Sequence, residues 1–162
     1  MAGLDPPTPG ASRNVAGARL RTLRHAILTG ALLIAGGASP VAYLDVTVSN
    51  VRNDEGHVLV AVCPEPEFLS QHCPFVGKAS AQPGAVTVRV AGIPPGIYAV
   101  QAFHDENDNK IIDRNLLGIP KEGLGFSNDA PFRFGPPHFR DAAVTIGPGG
   151  GRVTIRLRYF LD

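Results

Sequence analysis

The sequence predicts an all-β protein, an antiparallel β-sandwich of six to seven strands. Three observations predict it. Short runs alternate apolar and polar residues with period two, the pattern of half-buried strands. Gly 19 and Pro 15 together make up about a fifth of the 162 residues, and they punctuate the chain into short segments. Beyond residue 38 no stretch carries a helical period of any length. At 44% hydrophobic the chain can build one core, and its length suits one domain.

The first 38 residues read differently. Arg13, Arg19, Arg21 and Arg24 precede the apolar run Ala26 to Ala35, and the small residues Gly36-Gly37-Ala38 follow. That order is a secretory signal's, with cleavage expected after Ala38 and a single domain over 39–162. The run is about half of what a bilayer span requires, which weighs against the alternative of an uncleaved anchor. Of 15 Lys+Arg and 14 Asp+Glu, four and one fall in residues 1–38, leaving 11 and 13, a net of −2. No basic stripe remains, so nucleic acid is not an expected partner. The protein is expected to be exported, to a periplasm or beyond.

In chain order, Leu44, Val46 and Val48 alternate with Asp45, Thr47 and Ser49, a strand over 43–51. Asn53-Asp54-Glu55-Gly56 supplies turn residues, and His57 to Cys63 forms a second run; together they suggest an antiparallel hairpin. Residues 64–84, broken by Pro64, Pro66, Pro74 and Pro83, read as a long loop with a helical turn near Glu67 to His72. Cys63 and Cys73, ten positions apart, suggest a disulfide in an oxidising compartment. Closing so short a loop contributes about 2–3 kcal/mol on the chain-entropy estimate. A zinc site recruiting His72 or His57, or two free thiols, are the alternatives. The zinc reading matches no usual ligand spacing.

Val86, Val88 and Val90 alternate with Thr87 and Arg89, and Ile93-Pro94-Pro95-Gly96 makes a tight turn. Ile97 to His104 is apolar on both parities, as a central strand covered on both faces would be. Residues 114–138 lack alternation; a connection this long binds something or packs as its own layer. Phe139 to Ile146 and Arg152 to Phe160 are expected to close the fold as a hairpin across Gly147 to Gly151. These signals fit a sandwich of the immunoglobulin or prealbumin type.

The run Gly92-Ile93-Pro94-Pro95-Gly96-Ile97-Tyr98 resembles the turn and strand of prealbumin-like domains. Its continuation comprises His104-Asp105-Glu106-Asn107-Asp108-Asn109, then Gly118-Ile119-Pro120, Glu122-Gly123 and Gly125-Phe126-Ser127-Asn128. This is similar to a bacterial secreted family, domain of unknown function 2141. The resemblance covers about residues 43–160. It implies an exported β-sandwich and brings no activity, substrate or cofactor.

Asp105, Asn107 and Asn109 match positions one, three and five of a calcium-loop template. Ile111 would offer the carbonyl at seven and Asp113 the side chain at nine. Lys110 stands where the template has glycine, and Leu116 where it has a bidentate glutamate. An ion would therefore need an outside ligand, for which Glu122 is the nearest carboxylate. The alternative is a solvated connection in which Asp and Asn cap their own turns.

No catalytic residues are assigned. His104 is conceivable as a base, but Ser127 lacks the nucleophile-elbow context. Phe126, Phe132, Phe134 and Phe139 would either line an apolar groove or close an open end of the sandwich. Arg152, Arg156 and Arg158 form a cationic face that suits anionic lipid or polysaccharide, or simply protects an edge. The expected function is an exported, non-enzymatic binding or structural module of the cell envelope with a calcium-stabilised loop. Its expected partners are an envelope protein, a polysaccharide or a small apolar ligand. The alternative is an apolar-ligand carrier or hydrolytic enzyme built at the same loop.

Overall fold

The computed structural model describes residues 41–132 and 135–161, and the expected signal segment lies outside them. Among the described residues eight strands form two sheets. One has three strands: β1 (Ala42–Val51), β4 (Gly84–Ile93) and β8 (Gly151–Arg156), in the order β4-β1-β8. The other contains β2 (His57–Cys63), β3 (Phe75–Ser80), β5 (Gly96–Asp105) and β6 (Leu124–Phe126), in the order β3-β2-β5-β6. In it β7 (Ala143–Ile146) also pairs with β5. The fold is the expected all-β sandwich.

Both expected hairpins are corrected. β1 and β2 follow one another through Asn53 to Gly56, yet they lie in opposite sheets: β1 pairs with β4 and β8, and β2 with β3 and β5. The closing pair divides in the same way, β7 joining β5 while β8 joins β1. The β1–β8 pairing is parallel, the one departure from antiparallel order among the ladders of the described residues. Phe139–Ala142 is a short helix, α1, rather than strand. The expected loop over 64–84 contains β3, whose alternation is blurred by exposed Val76 and by Gly77. A Cβ at Gly77 would stand 2.8 Å from the Arg89 carbonyl oxygen and 3.0 Å from Val88, so glycine lets β3 lie close against β4.

The central strand is buried on both faces, for a visible reason. Tyr98, Val100 and Ala102 enter the core between the sheets with Val46, Val48, Val60, Val62, Val88, Ile155 and Leu157. Ala99 joins a second cluster with Leu124, Phe126, Ala130 and Ala142, against which Phe68, Phe103, Phe132 and Phe139 pack. The long connection after residue 114, which lacks alternation in sequence, contributes the short strand β6 to the larger sheet. Its later residues Ala130 and Phe132 pack with Phe139 and Ala142 over that sheet's outer face.

Cys63 and Cys73 are disulfide-bonded, with Cα atoms 4.9 Å apart, and the bond clasps the end of β2 to the residues before β3. The chain crosses between sheets at Ile93 to Gly96, where the Tyr98 hydroxyl donates to the Pro94 carbonyl at 2.9 Å. Such a tyrosine anchors a corner of many sandwiches.

Candidate functional site

β5 delivers Asp105 to the end of the sheet, where the residue is 1% exposed. Its Oδ1 accepts the Asn109 N–H at 3.1 Å and its Oδ2 the Lys110 N–H at 2.9 Å. Asn107 Oδ1 accepts from Asn109 N–H, and Asn109 Oδ1 from Ile111 N–H. The Asn107 and Asn109 amides then converge on Asp113 Oδ2, at 2.7 and 3.0 Å. Lys110 adopts φ +63° at the position that usually needs glycine, so the curl forms in spite of the substitution.

Glu122 is 3% exposed and closes the loop from the other side. Its Oε1 accepts the Glu106 N–H and its Oε2 the Asp113 N–H, both at 3.2 Å. Burial pushes its carboxyl above the ordinary range; the two N–H bonds oppose that, and the like charges of Asp105 and Asp113 add to it. Of the six expected ligands, Asn107, Asn109 and Asp113 meet through their side chains, while Asp105 and Glu122 are each bonded to main-chain N–H groups of the loop. Ile111 takes part through its N–H, and its side chain is exposed. Among the described residues no three His, Cys, Asp or Glu side chains gather closely enough to hold a metal by themselves.

Beside the loop lies a network that no sequence spacing announces. His104 is wholly buried. Its Nε2–H donates to the Glu55 carbonyl at 2.8 Å, and its Nδ1 lies 2.9 Å from the Tyr159 hydroxyl. With that tautomer, assigned from its partners, Tyr159 donates to Nδ1 and accepts the Arg52 N–H at 3.2 Å. The Arg52 guanidinium lies 4.5 Å over the Tyr159 ring and grips both Glu106 oxygens, at 2.6 and 2.5 Å. Asn53 donates a third bond to Glu106. The expectation that His104 is conceivable as a base meets a side chain with both ring nitrogens engaged.

The Arg52 bond holds the Glu106 carboxyl below its usual range, against the opposing effect of burial. A carboxyl depressed on folding stabilises the fold above its ordinary pKa of 4.5 and loses that contribution as pH falls through its folded value. Glu122, with its raised pKa, acts in the opposite sense: it favours the fold below 4.5 and loses that contribution as pH rises. The stability gap between wild type and Glu106→Gln is therefore expected to be full at neutral pH and to close as pH falls below 4.5. Urea melts across pH measure it; a gap that persists unchanged at acid pH refutes the assignment.

The family model described as "Uncharacterized protein conserved in bacteria (DUF2141)" matches residues 46–155. The chain belongs to that family. No curated protein and no solved structure matches it. In this DUF2141 domain the signature residues have structural tasks. His104 and Asp105 anchor the network and the loop, and Glu122 caps the loop's main chain. Gly123 admits the Tyr159 ring, which a Cβ would meet at 2.4 Å. Gly125 lets β6 pass β8, where a Cβ would stand 2.5 Å from the Arg156 carbonyl oxygen. Ser127, fully buried, accepts the Val100 N–H at 3.0 Å and donates to the Ala142 carbonyl at 2.5 Å. Asn128, at φ +58°, donates to the Ala143 carbonyl.

The aromatic residues pack on one another. Phe126 and Phe132 have ring centres 5.2 Å apart, and Phe68 lies edge-on to both Phe126 and Phe139. Phe134 lies outside the described residues. Arg158 pairs with Asp129 at 2.7 Å, while Arg152 and Arg156 stand exposed on β8, an edge strand of its sheet. A shallow slot of about 320 Å³ runs between β7 and β8, lined by Leu44, Val144, Ile146 and Val153 among others.

Proposed function

We propose that the domain is an exported, non-enzymatic binding or structural module of the bacterial cell envelope, its loop after β5 stabilised by calcium. The observation that carries the calcium reading is the convergence of Asn107 and Asn109 on Asp113, beside Asp105. A hard cation would take the place of the two amide N–H donors on Asp113, with the Asn107 and Asn109 side chains turning their oxygens toward it and giving up the N–H bonds those oxygens now accept. Lys110 already holds the left-handed turn such loops require. Leu116, at the template's last position, points to solvent, which leaves Glu122 as the additional carboxylate. So few charged ligands favour an affinity of about micromolar or weaker.

The non-enzymatic reading is supported by the engagement of His104, Asp105, Glu122 and Ser127 with main-chain groups or Tyr159. Export is supported by the basic, apolar, small-residue order of residues 1–38 and by the disulfide. The competing reading is a loop closed by its own hydrogen bonds, which the five N–H bonds to Asp105, Asn107 and Glu122 favour.

Calorimetric titration with calcium decides between them. Binding is expected, with a gain of about 2.7 kcal/mol in stability at a hundredfold excess over Kd; Asp105→Ala should abolish both. No heat and no change in melting temperature at about millimolar calcium would end the calcium reading.

A further inference from the structure

The two most exposed large apolar side chains among the described residues stand next to each other. Leu116 and Leu117 are 106% and 83% exposed, at the tip of the connection between β5 and β6. The tip is built, not slack. Asn115 Oδ1 accepts the N–H groups of Leu117 and Ile119, at 3.0 and 2.9 Å. Asn115 and Ile119 pair again through the Asn115 N–H, and the Gly118 N–H returns to the Asn115 carbonyl, both at 2.9 Å. Gly118 takes φ +77°, and Arg114 Nη1 donates to its carbonyl. Arg114 and Pro120 bridge below the turn, and the Lys121 N–H bonds the Asp113 carbonyl. A turn with so many bonds cannot fold its leucines back onto the domain, so they are held out in water.

The charge around the tip has one sign. From Arg114 to Lys121 there are two cations and no carboxylate. The acids at the base of the loop are each engaged by other partners: Asp105 and Glu122 cap main-chain N–H groups, Asp113 Oδ2 takes two amides, Glu106 holds Arg52 and Asp108 holds His57. Two leucines on a four-residue turn offer far less than the about 800 Å² per partner of a stable protein interface. They are the right size to enter the headgroup–acyl boundary of a bilayer, where flanking Lys and Arg meet anionic headgroups.

We propose that the Leu116–Leu117 turn docks the domain on an anionic lipid surface, with Arg114 and Lys121 against the headgroups. This deepens the envelope reading by naming a surface, and it does not rest on calcium.

The test uses the full-length chain with its disulfide intact, a single thiol introduced by Leu117→Cys and an environment-sensitive dye on that thiol, in the presence of EDTA. Vesicles of phosphatidylcholine with phosphatidylglycerol are expected to shift the dye's emission to the blue, and lipid-borne quenchers to reach it. A dye on Arg152→Cys, on β8, should not respond, which separates tip insertion from adsorption through the N-terminal apolar run. Adding Lys121→Gln should weaken the response about fivefold in lipid concentration. In unlabelled protein, Leu116→Ser with Leu117→Ser should lower vesicle binding and leave the melting temperature unchanged. An unresponsive Leu117 dye, an equal response to pure phosphatidylcholine, or a response only to added polypeptide would each overturn the proposal. Failure here with calcium binding intact removes the lipid surface alone.

Discussion

Gly123→Ala is expected to destabilise the domain by about 3–5 kcal/mol, a large part of the about 5–15 kcal/mol that holds a domain folded. The added methyl would stand 2.4 Å from Cζ and 2.5 Å from Cε1 of Tyr159. A side chain with freedom would swing aside, but this ring is fixed at three points. Its hydroxyl bonds His104 and the Arg52 N–H, and the Arg52 guanidinium covers its face. Moving it leaves a buried imidazole nitrogen without its partner, so overpacking and a lost hydrogen bond act together. Chemical denaturation measures the loss, and the double variant with Tyr159→Ala supplies the control. If the clash is the cause, the two substitutions are strongly non-additive. A Gly123→Ala protein within about 1 kcal/mol of wild type would show that the ring has room to yield.

His104→Ala is expected to cost a similar amount, about 3–5 kcal/mol. It opens a cavity at a position with no exposure and strands two polar partners, the Glu55 carbonyl and the Tyr159 hydroxyl. Thermal and urea melts read this directly. The result also decides what the histidine is for. A structural residue gives an unstable protein, whereas a catalytic base is removed with little effect on stability. A His104→Ala variant that melts like wild type would return His104 to consideration as a reactive group.

Strands were legible where one face is apolar and the other polar. Val86, Val88 and Val90 placed β4, and the double-faced run from Ile97 to His104 placed β5 at the centre of a sheet. Pairing was not legible. The Asn53 to Gly56 turn announces a reversal, but a reversal within one sheet and a crossing between two have the same turn chemistry. Gly56 shows the difference only in three dimensions. At φ +62° it lies so close to the Asp105 carbonyl that a Cβ would stand 2.0 Å from the oxygen. β3 escaped because Gly77 replaces the apolar side chain that would have marked its buried face.

The loop side chains of the candidate site were legible from spacing, since Asp and Asn at alternate positions build turns whether or not an ion is present. The Arg52–Glu106–Tyr159 network was not, because its members are separated by 54 and 107 positions and no local pattern links them.

The parallel pairing of the first strand with the last has a consequence for how the molecule is made. Ser49 and Ile155, 106 positions apart, must meet before the smaller sheet is complete. Contacts of such long range slow folding, because the whole intervening chain must be closed into a loop first. Until β8 is made and docked, β1 presents an open edge to any neighbouring polypeptide. A sandwich whose smaller sheet lacks β8 is thus an incomplete fold that needs protection from self-association.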